Sequence, residues 1–334
     1  MKKIALVLAF LFVSAAADAK TFAWKVTGKG GVVYLVGSVH LLSKDFYPLN
    51  PALDAAYKDA DLLVEEVDMG EMLDPAAQMG FLQRGMLPAS TPLDKVISPA
   101  TWALVNKRAA DLGVPSEPFK LLKPWLVALM IVQVEWQKAG FDPELGLDKH
   151  FYDRAKTDGK STQGLETAEY QISRLDEMTM EQQEHLLSES LKDLDAEKAN
   201  MAKLVDAWRT GDAAGVERIV LSELKAEPVL YQRLLVERNR NWIPKIEALF
   251  ARPRHALVVV GAAHLVGPDG LLADLPVKWL APYLYLVGGH AKACDGKVDA
   301  AKRQLTLARD SGNPIVREAA TFLLAEPRAL CALP

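Results

Sequence analysis

Two short apolar runs, each passing without a break into Gly-x-x-His, constrain this chain more than any other feature. Val32-Val33-Tyr34-Leu35-Val36 leads into Gly37-Ser38-Val39-His40, and Ala256-Leu257-Val258-Val259-Val260 leads into Gly261-Ala262-Ala263-His264. Runs of this length and β-branched content read as buried strands. In an open α/β fold, the carboxyl ends of such strands border the crevice where ligands bind. Glycine at the strand end opens backbone conformations closed to other residues, so the chain can turn sharply and aim a histidine inward. Histidine is the commonest metal ligand, and a pair of them joined by carboxylates makes a catalytic centre when a water position stays open. The competing reading of each turn taken alone is a core or turn histidine.

The surrounding pattern supports an α/β architecture. Residues 24–29 and 32–36 form the arms of a hairpin around Lys29-Gly30-Gly31. A helix over about 51–60 and the apolar run Leu62–Val67 complete a βαβ-like opening. From about 75 to 250 helices dominate, interrupted at Pro88, Pro92, Pro115, Pro118 and Pro124, with one return to the sheet at 160–165 just before Glu166. Thr179-x-x-Gln182 fits a capping box, and Leu187, Leu191, Leu194, Met201, Leu204 and Trp208 recur at helical spacing as a core-facing stripe. Past Leu275 a last strand at 279–287 and two amphipathic helices at 298–309 and 314–324 read as an appended hairpin. The predicted architecture is therefore a central sheet with the Gly-x-x-His turns at strand ends, a large helical middle section and a C-terminal helical hairpin. It divides into a signal peptide at 1–19, an α/β domain at 20–275 that carries both histidine turns, and an extension at 276–334.

Export follows from the amino terminus. Lys2 and Lys3 precede an apolar stretch over 4–17, and Ala17-Asp18-Ala19 is a small-x-small cleavage site. That stretch is shorter than the ~20 residues a bilayer span requires, and no other charge-free segment reaches that length, so no stable span is expected after cleavage. The first cysteine is Cys294, which removes the lipid-anchor reading and leaves a periplasmic or secreted protein. In an oxidising compartment Cys294 and Cys331 are candidates for a disulfide, with two unpaired core thiols as the alternative. The net charge of −4 lacks the basic excess of a nucleic-acid partner.

Glu65, Glu66 and Asp68 end the second apolar strand, where alternation puts Glu66 and Asp68 on one face and Glu65 on the other. Carboxylates at a strand edge are usually solvated, yet no turn separates these from Leu62-Leu63-Val64, which raises the cost of leaving them unpaired. Glu166 follows Gly164-Leu165 as a further candidate, or else as a carboxylate at a helix amino terminus. Arg238-Asn239-Arg240-Asn241 interrupts a helical run over 229–250; such clusters mostly face water, but Arg238 could clamp a carboxylate or an oxyanion. Gly159-Lys160-Ser161 lacks the first glycine of a phosphate loop. No Gly-x-Ser-x-Gly, His-Glu-x-x-His or Cys-x-x-Cys occurs.

Taken in order, these segments resemble the TraB/GumN family, relatives of the Tiki metalloproteases and, more distantly, of erythromycin-esterase-like and ChaN-like proteins. The resemblance rests on Trp24 with 33–40, on Ala60-Asp61 and Glu66-Val67-Asp68, on Gly164-Leu165-Glu166-Thr167 with Gln171 and Leu175-Asp176, and on Glu237-Arg238-Asn239 and 260–265 with Gly267. It implies a metal-dependent hydrolase, most naturally a peptidase acting on a peptide or protein. His40, His264 and Glu66 would hold a divalent ion (manganese, cobalt or zinc), with Glu66, Glu166, Arg238 and Asn239 as the catalytic set. The alternative is a non-catalytic metal- or haem-binding or interaction protein of the cell envelope. The chain departs from the family pattern in continuing for about sixty residues past the second histidine turn.

Overall fold

The computed structural model describes residues 21–27, 30–192 and 194–275, together with residue 306. Within them the apolar runs pair as one sheet of β1 (Ala23–Thr27), β2 (Val32–Ser38), β3 (Leu62–Val67), β4 (Ser161–Glu166) and β5 (Ala256–Gly261). Their spatial order is β1-β2-β5-β3-β4. β1 and β2 are antiparallel, with Trp24 opposite Leu35 and Val26 opposite Val33, as the hairpin reading requires. The other pairings, β2 with β5, β5 with β3 and β3 with β4, are all parallel. Parallel strands need long crossovers, and here those crossovers are helical and cover the sheet. That is why β2, β3 and β5 read as near-continuous apolar runs, while β1 and β4, at the two edges, carry exposed positions.

The first crossover is α1 (Pro51–Asp59). Asn50 caps it by accepting from Ala52 N at 2.9 Å, Pro51 fills the first turn, and Leu53, Ala56 and Tyr57 are buried. At its far end Lys160 Nζ donates to the carbonyls of Tyr57 at 2.6 Å and Ala60 at 2.5 Å, tying the helix to the start of β4. The path from β3 to β4 includes α2 (Pro99–Leu112), α3 (Pro124–Lys138) and α4 (Leu147–Asp158). The path from β4 to β5 includes α5 (Ala168–Asp176), α6 (Met180–Lys192), α7 (Leu194–Arg209) and α8 (Glu237–Phe250).

Two apolar clusters result. One surrounds the sheet, and the other lies away from it among the helices, with Val105 and Ala109 of α2, Val127 and Ile131 of α3, and Leu187 and Leu191 of α6. The capping box forms as read: Thr179 N donates to Gln182 Oε1 at 3.0 Å, and Gln182 N to Thr179 Oγ1 at 3.2 Å. The stripe that begins there is not one surface, because the chain is divided into α6 and α7. Leu187 and Leu191 enter the helical cluster, whereas Leu204 and Trp208 pack on the sheet cluster. Trp208 Nε1 also donates to the Gly37 carbonyl at 2.7 Å, fastening α7 to β2.

The structure corrects the reason for the two glycines. Neither Gly37 nor Gly261 has a positive φ, so neither is needed for a left-handed turn. At Gly37 the constraint is space, since a Cβ would lie 2.2 Å from Phe22 Cδ1. Among the described residues no helix is long and apolar enough to cross a membrane. The signal segment, the strand and helices expected beyond Leu275, and Cys294 and Cys331 lie outside the described residues.

Glu65 is 1% exposed; its Oε1 has no hydrogen-bond partner among the described residues, and its Oε2 accepts from Met69 N at 3.3 Å. Burial, reinforced by the nearby charge of Asp148, pushes its carboxyl up to about 8. The folded protein therefore holds a proton that the unfolded chain, titrating near 4.5, gives up. The stability this group contributes is complete below about pH 4.5 and is lost as pH rises through about 8. Glu65→Gln removes that titration. Thermal melts should show Tm of the variant gaining on that of the wild type between about pH 5 and pH 8.5. A pH-independent difference would contradict the assignment.

Candidate functional site

All four parallel strands point the same way, so their carboxyl ends share one edge of the sheet, and α8 lies over it. α8 buries Arg238, Asn239, Trp242, Ile246 and Leu249, which splits the polar quartet: Arg238 and Asn239 face inward, while Arg240 and Asn241 are exposed. Arg238 then joins the strand ends. Its Nε donates to Glu166 Oε1 at 3.0 Å, and its Nη2 reaches Glu166 Oε1 at 2.8 Å and Glu66 Oε2 at closer range. Its Nη1 donates to the Leu234 carbonyl at 3.2 Å and to His264 Nε2 at 3.1 Å. Trp242, one turn further along α8, donates from Nε1 to Glu166 Oε2 at 2.8 Å. Its ring centre lies 4.7 Å from the guanidinium and 4.5 Å from the His264 ring.

These contacts settle the tautomer of His264. Arginine can only donate, so Nε2 is the acceptor and Nδ1 carries the proton. That proton goes to Asn239 Oδ1 at 2.7 Å. The Asn239 amide is oriented in turn by donating from Nδ2 to the carbonyls of His264 at 3.2 Å and Asp269 at 2.8 Å. Burial, with Arg238 and His40 adding to it against the pull of Glu66, pushes His264 down to about 3, so its ring is neutral.

His40 is held differently. Its Nδ1 donates to Asp148 Oδ2 at 2.9 Å, and Ser38 Oγ donates to the same carboxylate at 3.0 and 2.9 Å. Asp148 pushes the imidazole up to about 9, although 57% of the side chain reaches solvent, where screening weakens such a pull. Glu66 sits between the two histidines. Burial would raise its carboxyl, but Arg238, His264, His40 and the Gly261 N–H outweigh burial and hold it well below the usual carboxylate range. Glu166 goes the other way, its burial exceeding the lowering effect of Arg238 and Trp242.

The two oxygens of Glu66 divide the work. Oε2 receives Arg238 and Gln171 Nε2, the latter at 3.2 Å. Oε1 receives Gly261 N at 2.7 Å and faces His40 Nε2 at 4.0 Å and His264 Nε2 at 3.9 Å. A Cβ on Gly261 would stand 3.2 Å from Glu66 Oε1, 3.4 Å from His40 Nε2 and 3.6 Å from His264 Cδ2. The space left by that missing side chain is thus bordered by all three candidate ligands.

Two imidazole nitrogens and one carboxylate oxygen suit a divalent first-row ion. Two ligands each about 2.1 Å from one tetrahedral ion lie about 3.4 Å apart; the 3.9 and 4.0 Å separations are wider, so the three side chains would have to close in by about half an ångström to hold one. The residues fit in kind. Among the described residues, however, no group of three or more His, Cys, Asp or Glu is placed so that it could hold a metal ion without rearrangement. A guanidinium N–H, not another ligand, meets His264 Nε2.

The structure brings His40, Glu66, Glu166, Arg238, Asn239 and His264 into one network. Asp68, expected on the face of Glu66, accepts instead from Gly70 N at 2.7 Å and Thr162 Oγ1 at 2.8 Å. Asp148, Ser38 and Trp242 are members that the sequence reading did not single out as site residues. Trp242 carried a signal, being four residues after Arg238 on one helix face; Asp148 carried none, since its partner is 108 positions away. Asp148→Asn should drop the His40 titration midpoint, read by NMR of the imidazole carbons, from about 9 by at least about one unit. An unchanged midpoint would show that Asp148 does not set the charge of His40.

A family model described as the TraB/PrgY/gumN family matches residues 22–277. Two curated relatives, from Escherichia coli (strain K12) and Shigella flexneri and each named Uncharacterized protein YbaP, are 28% identical over 238 residues, covering 71% of this chain and 85% of theirs. No solved structure matches the chain. The matched span encloses both histidine segments and every strand of the sheet, and on that basis the chain belongs to the TraB/PrgY/gumN family.

Proposed function

We propose that this protein is an exported metal-dependent hydrolase, acting as a peptidase, with His40, His264 and Glu66 as the metal ligands. The observation that carries the reading is the bordering of one gap beside Gly261 by His40 Nε2, Glu66 Oε1 and the His264 ring. A divalent ion held there would polarise a scissile carbonyl and lower the pKa of a bound water. The chain's own residues supply the rest. Asn239 holds the Nδ1–H of His264, so that Nε2 is presented as a lone pair; Asp148 holds the Nδ1–H of His40 and favours its charged form, so its Nε2 would take up an ion only on giving up a proton. Glu66 is kept ionised by Arg238 and its other neighbours. The Arg238 guanidinium is a fixed positive charge beside any oxyanion that develops. Glu166 and Asn239 act through Arg238 and His264, as positioning residues. Substrate approaches on the side of His40, the ligand with most of its surface in solvent. Export rests on Lys2, Lys3, the apolar stretch over 4–17 and Ala17-Asp18-Ala19.

The test is to measure bound metal in the purified protein and in His40→Ala, His264→Ala and Gly261→Ala, then to screen a peptide library with manganese, cobalt or zinc. Metal content should fall in all three variants, and metal-dependent cleavage should fall by at least about 100-fold in the histidine variants. Equal metal content throughout, with no metal-dependent cleavage, would contradict the proposal. Metal bound through the histidines without cleavage would identify the non-catalytic metal-binding alternative.

A further inference from the structure

We propose that Arg238 competes with the metal for His264, so that the ion enters only as the guanidinium releases Nε2. This rests on the metal-binding reading above and goes beyond it by giving Arg238 a role in the metal-free protein. A neutral imidazole has one lone pair in the plane of its ring, and it cannot both accept a hydrogen bond and ligate an ion. In His264 that lone pair points to Arg238 Nη1 at 3.1 Å, while Asn239 takes the opposite nitrogen.

The geometry makes release local. Nη1 has a second acceptor in the Leu234 carbonyl at 3.2 Å, so it is not stranded when it leaves His264. Nε and Nη2 stay bound to Glu166, whose other oxygen is held by Trp242, and the Trp242 ring lies against the guanidinium. Arg238 can therefore give up His264 while remaining anchored on Glu166. In the metal-free protein the same contact keeps the His264 ring buried and oriented, with Nε2 on Arg238 and the adjoining Cδ2 toward Gly261.

Two explanations for an effect of Arg238 on metal binding must be separated: blockage of the lone pair, and repulsion between two cations. Lysine keeps the charge, but its single ammonium lacks the fork that reaches Glu166, Glu66 and His264 together. The experiment titrates cobalt(II) alone into the purified protein, read by calorimetry and by the visible absorption of the bound ion. The proteins are the wild type, Arg238→Lys, Arg238→Gln and Arg238→Lys combined with His264→Ala, with circular dichroism melts reporting folding of each.

Both single variants should bind cobalt at least about tenfold tighter than the wild type, a change equivalent to about 1.4 kcal/mol. The double variant should lose that gain. Equal affinity in the wild type and Arg238→Lys would overturn the proposal while leaving the metal site standing, as would tightening in Arg238→Gln alone, which would indicate charge repulsion. A gain that survives in the double variant would place the ion elsewhere and also overturn it. Cobalt bound by none of the proteins would remove this inference together with the metal reading.

Discussion

A single buried guanidinium holds the carboxyl edge of the sheet together. Arg238 joins Glu66 of β3, Glu166 of β4 and His264 beyond β5, and it does so from α8, which lies across all three. Burying a charge is tolerable only when it is paired and its remaining donors are satisfied, and removing one partner of a buried pair costs about 3–5 kcal/mol. Each of the three donating nitrogens of Arg238 has at least one acceptor, and Trp242 covers its face. The helical insertions are thereby locked onto the strand ends at the place where the reactive side chains emerge.

Strand order does the complementary work. With β5 inserted between β2 and β3, the segment ending in His264 lies beside the one ending in His40 and beside the strand carrying Glu66. Residues distant in sequence become neighbours because three parallel strands end at one edge. Gly261 then supplies the gap, and its N–H fixes the oxygen of Glu66 that faces both imidazoles. Asn239 and Asp148 orient the two rings from opposite sides, one by a neutral amide and one by a carboxylate. Burial drives His264 toward the neutral form, whereas Asp148 drives His40 toward the charged form.

Much of this was legible in the sequence because the informative residues end apolar runs. Strands β2, β3 and β5 announce themselves by length and β-branching, and each delivers a histidine or a carboxylate. The Thr179–Gln182 cap was equally local and formed as read. What was not legible depends on contacts between distant segments. Asp148 lies on α4 and meets His40 only through the fold. The glycines looked like turn residues, whereas Gly37 is needed to make room for Phe22 and Gly261 lies against the three candidate ligands. The long apolar stripe read as one face because periodicity persists across the junction between α6 and α7; which cluster each half joins is a tertiary matter.

The most direct test is a crystal of the protein soaked in cobalt and measured at the cobalt absorption edge. The account predicts one strong anomalous peak beside Gly261, between His40 Nε2, His264 Nε2 and Glu66 Oε1, with Arg238 drawn away from His264 toward Glu166. No peak there, or a peak elsewhere with Arg238 Nη1 still on His264, would contradict it.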